Sequence, residues 1–112
     1  LMAEMKRSSS VPEYVYGGLF EKDVVKITLD FMEIILCDVM KKVTGSTAPL
    51  YTVNREYDLA RAAEGYTAQS AAAAIIAVNE ARKRLSANMN AYSVGGWLLM
   101  EILEAKYKWQ KK

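Results

Sequence analysis

The chain has 112 residues, 52% of them hydrophobic and 25% charged, with a formal net charge of +2. That length suits one domain with enough apolar material for a core, and so even a charge balance gives no footing for a strongly basic nucleic-acid binder or a membrane-surface protein. There is no histidine and one cysteine, Cys37, which excludes an internal disulfide and a cysteine-rich zinc site and removes the commonest general base.

Two prolines and six glycines among long Ala-, Leu-, Ile- and Met-rich runs point to helices. The opening Leu1-Met2 reads as entry into the middle of a helix, so the chain is expected to be one piece of a longer polypeptide. Leu1–Ser10 lacks the apolar core of a secretory signal. Ser8–Gly18, with three serines, a proline and a Gly-Gly pair, reads as a loop. Residues 1–18 are therefore set apart from a helical domain over residues 19–112.

From Glu21 to Val43 the apolar residues Val25, Leu29, Met32, Leu36, Val39 and Val43 recur at spacings of four and three, the stripe of an amphipathic helix. Ile27, Phe31, Ile34 and Ile35 widen that stripe, so this helix is expected to be central. Lys22, Lys26, Asp30 and Glu33 form its polar side. Thr44-Gly45 ends it, and Pro49 prevents an early restart. A shorter helix is expected over Asn54–Glu64, capped by Asn54 and with Tyr57, Ala60 and Ala63 as a narrow apolar face. The third spans Ala68–Ala87, with Thr67 or Ser70 as cap and Ala71, Ala74, Ile75, Val78, Ala81 and Leu85 on one face. Asn90 is the expected N-cap of a fourth, Ala91–Lys108. The pattern is all-α, a small bundle of four to five helices.

Reaction chemistry is hard to find. The pairs Gly17-Gly18 and Gly95-Gly96 lack the lysine and spacing of a phosphate-binding loop, and Gly95-Gly96 reads better as a thinned crossing point. Glu101 and Glu104 lie one turn apart, yet no histidine or second carboxylate pair supports a metal there, and a solvated face accounts for them. Cys37 has no histidine to activate it. Arg82, Lys83 and Arg84 are candidate phosphate contacts, although a basic helix C-terminus compensating the helix dipole explains them as well. The tyrosines and tryptophans do not interleave with that cluster as a stacking platform for single strands would. No catalytic, cofactor or metal site is expected.

The fourth helix carries more information. Val94, Leu98 and Ile102 form one apolar stripe, while Trp97, Met100 and Leu103 extend onto another. A helix apolar on more than one side is central or shared with a partner. Trp97, Leu98, Met100 and Leu103 are accordingly the candidate subunit interface.

Leu36-Cys37-Asp38-Val39-Met40-Lys41-Lys42-Val43-Thr44-Gly45 resembles the Arg-Asp-containing helix of the delta-prime subunit family of the bacterial DNA polymerase III clamp loader. Ser70–Leu103 resembles the remainder of that family's C-terminal collar domain: an Ala-rich helix, a basic turn, Asn-x-Asn, and a Leu-rich final helix. Ala81, Leu85, Asn88, Asn90, Leu98, Leu99 and Ile102 are the matching residues, and Asp38, Asn88 and Asn90 its structural markers. Cys37 stands where the family usually has arginine, and Ser93, Gly95 and Gly96 replace a more Leu- and Glu-bearing helix start. The resemblance covers roughly Glu21 to Glu104.

What it implies is a non-catalytic oligomerisation domain. The C-terminal domains of five subunits in that family pack into a collar that holds together the ATPase modules placing a sliding clamp on DNA. The implied partners are the other subunits' C-terminal helical domains, with DNA met only indirectly, no membrane and no small-molecule substrate. A cytoplasmic location is expected. The rival readings are a gamma/tau-type collar domain and a helical nucleic-acid-binding module using Arg82, Lys83 and Arg84.

Overall fold

The structure, a computed structural model, describes residues 18–46, 49–50 and 63–109. These carry three α-helices and no strand: α1 Val25–Thr44, α2 Ala68–Ser86 and α3 Ala91–Lys108. Three is fewer than the four or five expected. The additional short helix was expected at Asn54–Glu64, and of that stretch only Ala63 and Glu64 lie within the described residues, where they are helical. The segment 1–17 lies outside them too. No described helix is long and apolar enough to cross a membrane.

The middle helix is α2, not α1 as the width of the α1 stripe suggested, because α2 packs against both of the others. Its buried apolar residues are Ala71, Ala74, Ala77, Val78 and Ala81, none larger than valine. Side chains this short let a neighbouring helix approach the backbone from either side. Bulk comes from the flanks: Val25, Leu29, Met32, Leu36 and Val39 of α1, and Val94, Leu98, Leu99, Ile102 and Leu103 of α3. Five of the six α1 stripe residues read from spacing are thus core, and Val43 packs at its margin.

Helix ends fix the path of the chain. Gly45 adopts the left-handed conformation (φ 71°) after α1, and Ser46 N–H reaches back to the Lys41 carbonyl at 2.9 Å, closing a Schellman turn. Thr67 caps α2: its Oγ1 accepts from Ser70 N–H at 3.1 Å while Ser70 Oγ accepts from Thr67 N–H at 2.8 Å, a reciprocal capping box. The two candidates for that cap are therefore its two halves. Thr67 Oγ1 also donates to the Trp109 carbonyl at 2.8 Å, tying the start of α2 to the end of α3.

The Asn-x-Asn turn divides its labour. Asn88 takes the left-handed conformation (φ 63°), and Met89 N–H bonds the Arg84 carbonyl at 3.2 Å, a second Schellman turn with asparagine in glycine's usual place. Asn90 Oδ1 then accepts from Tyr92 N–H at 2.9 Å and Ser93 N–H at 3.1 Å, starting α3. With so short a link α2 and α3 must run antiparallel.

The approach to α1 closes the bundle on its far side. Thr28 Oγ1 donates to the Leu19 carbonyl at 2.6 Å, and the fully buried Phe20 lies against Gly95 of α3. A Cβ on Gly95 would fall 2.7 Å from Phe20 Cγ and 3.1 Å from Phe20 Cβ. Gly95 thus thins α3, as its sequence suggests, and what it admits is an aromatic ring rather than another helix.

Two stability outcomes follow from these contacts. Gly95→Ala should lower the thermal midpoint, because overpacking against a ring held at its root costs about 1–3 kcal/mol and outweighs a gain of ~1 kcal/mol in helix propensity. Pairing it with Phe20→Val should recover part of the loss. If Gly95→Ala instead stabilises the chain, Phe20 does not occupy the notch. Asn90→Ala should cost about 1 kcal/mol through the lost cap, read as a lower midpoint in urea; an unchanged midpoint would mean the cap contributes nothing.

Candidate functional site

Helical geometry decides what Arg82, Lys83 and Arg84 can do together. Consecutive helical residues point about 100° apart, so three in a row cannot converge on one ligand. Arg82 turns to α1, where its guanidinium pairs with Glu33 and, at 2.8 Å, with Asp30. It also reaches Asn79 Oδ1 at 2.9 Å on its own helix. Arg84 turns the other way, its guanidinium 3.9 Å from the centroid of the Trp97 ring and Nε 3.7 Å from Glu80 Oε1. Lys83 is exposed between them.

The hydrogen bond to Glu33, then the one to Asp30, raises the Arg82 pKa, with burial opposing. This ion triplet joins α1 to α2 across 49 and 52 residues of chain. Asp30 and Glu33, read from sequence as part of the polar side of α1, are what hold it. Leu85 and Ser86 share a groove with Lys26 and Leu29 one turn further along, so the two helices run antiparallel.

The interface read from α3 divides in the same manner. Leu98 and Leu103 are in the core, 0% and 3% exposed, so in this fold they present nothing to a partner. Trp97 is half-buried beneath Arg84, and Met100 is the most open of the four. The buried face of α3 receives both α2 and, at Gly95, the Phe20 ring, while Trp97 on its other apolar side is covered by Arg84.

Among the described residues, α1 carries a run of exposed apolar side chains, and Ile76 of α2 stands exposed as well. Ile27, Phe31 and Ile34 are 57%, 61% and 38% exposed, spaced four and three apart on the side of α1 away from its buried stripe. Among the described residues α2 packs on the stripe side of α1, and Ile35 packs at the core margin, while one turn after Ile34 the same outer face carries the buried Asp38. The periodicity of the three exposed residues was visible in the sequence, but their direction was not.

Asp38 is fully buried, with Lys41 Nζ 3.5 Å from its Oδ1 and donating to the Pro49 carbonyl at 2.8 Å. Lys41, one turn on, supplies the cation beside this buried carboxylate. Cys37 itself is half-buried, in a groove lined by Asp30, Glu33, Ile34 and Arg82. Glu101 is half-buried and Glu104 exposed, and the described residues hold no cluster of three or more His, Cys, Asp or Glu that could bind a metal.

No protein family, curated protein or solved structure matches the chain. The reading of its function therefore rests on its own residues.

Tyr66, just before α2, is 1% exposed, and its hydroxyl has no hydrogen-bond partner among the described residues. Lys106 Nζ sits 4.9 Å from the ring centroid. Burial raises the phenol's pKa well above its ordinary 10.0. The folded chain keeps this proton where the unfolded chain releases it, so the stabilisation is complete below the unfolded value and is lost as pH climbs through the folded one. Tyr66→Phe should flatten the fall in thermal midpoint between roughly pH 9 and 11; identical slopes for both proteins would place the phenol in solvent. The Arg82 triplet is open enough to water for screening to matter. Arg82→Met should cost about 1 kcal/mol at low salt, with most of that difference gone at roughly 1 M salt. A larger, salt-independent loss would mean that side-chain packing, not charge, is what the variant removes.

Proposed function

We propose that this chain is a non-catalytic oligomerisation domain of the clamp-loader collar type, most like delta-prime, acting in the cytoplasm in DNA replication. The observation that carries the reading is the exposed Ile27–Phe31–Ile34 stripe on α1. Among the described residues these three large apolar side chains stand exposed at helical spacing, and such patches mark interaction surfaces. Further support comes from the residue order of the resemblance. Asp38 is a buried carboxylate, Asn88 a left-handed cap and Asn90 an N-cap, so each family marker has a definite structural task here. The partner would be the helical C-terminal domain of a neighbouring subunit, meeting α1 rather than the α3 residues Trp97, Leu98, Met100 and Leu103.

The size of the stripe sets the strength of the contact. Three side chains with roughly 100 Å² each still exposed offer on the order of 300 Å² of apolar area, about 7 kcal/mol at 25 cal/mol per Å². Association costs an estimated ~4–15 kcal/mol in lost freedom, so one such face holds a single pair weakly. A ring gives each domain two neighbours, and tethering to further modules raises the effective concentration. Burying the rest of a standard interface, ~1,600 Å² in total, would fall to the polar flanks.

The deciding experiment mixes this chain with the C-terminal helical domains of its host's other clamp-loader subunits and follows mass by sedimentation equilibrium across a concentration series. A concentration-dependent complex is expected. Phe31→Glu should weaken it at least tenfold with helix content and thermal midpoint retained, while Met100→Glu leaves it intact. Equal weakening by Met100→Glu alone would move the interface back to α3. A chain that stays monomeric with every partner at the highest concentration would sink the collar reading.

A further inference from the structure

We draw no further inference here: the strongest candidate, the groove between α1 and α2 lined by Asp30, Glu33, Ile34, Cys37 and Arg82, carries nothing because its charged groups are already paired with one another and what remains is a lone cysteine with no second group in the groove that points to a ligand.

Discussion

The small-residue face of α2 is the constraint on which the arrangement depends. A helix flanked by two others must be narrow where they meet it, and Ala71, Ala74, Ala77, Val78 and Ala81 make it so. Replacing any of these with a longer side chain would push α1 or α3 outward and open the contacts that their own leucines make. Because α2 supplies so little bulk, the flanking helices must supply it, and the largest core aliphatics do lie on α1 and α3. The same scarcity explains the Phe20 insertion. Without a large residue from α2, an aromatic ring from the approach to α1 fills space beside α3, and Gly95 makes room for it.

Local chemistry at the helix ends converts that packing into one topology. Two Schellman turns, at Gly45 and Asn88, stop α1 and α2 where their buried stripes end. The Thr67–Ser70 capping box and the Asn90 cap restart α2 and α3. Thr67 belongs to two structures at once, because the hydroxyl that caps α2 also holds the last turn of α3. Each bond contributes only about 1 kcal/mol. Their joint effect is on direction: with both ends of α2 specified, α3 has one way to lie along it.

How much of this could be read from residues alone depended on the range of the interaction. The α1 core stripe, the α2 cap and the Asn90 cap are local, decided within one turn of helix, and the spacing of residue types reveals them; the left-handed turn at Asn88 is as local, but only the structure assigns it. The centrality of α2, the exposure of Ile27, Phe31 and Ile34, and the burial of Leu98 and Leu103 are not local. Periodicity says which residues share a face and is silent on what lies opposite. An apolar residue beside the main stripe of α1 is therefore indistinguishable, in sequence, from one turned toward water. The Arg82 triplet was hidden for the same reason: Asp30, Glu33 and Arg82 each look like ordinary surface charges until two helices are brought side by side.

That triplet links the core to the proposed contact surface. Asp30 and Glu33 fall on the same flank of α1, three residues apart, and Arg82 holds both. A bond on that flank restrains rotation of α1 about its own axis, which burial of the stripe alone leaves softer. Any such rotation would trade Ile34, already partly covered, for Phe31 at the surface or the reverse. The ion triplet adds little to stability, since exposed pairs are worth about 0.2–1 kcal/mol each, but orientation is a different quantity from stability. A weak partner contact made by three side chains tolerates little misalignment, because each carries a large share of the area. Arg82, one of three phosphate-contact candidates in the sequence, is thus taken up with holding the angle at which α1 lies on α2, and with it the direction in which the proposed contact stripe faces.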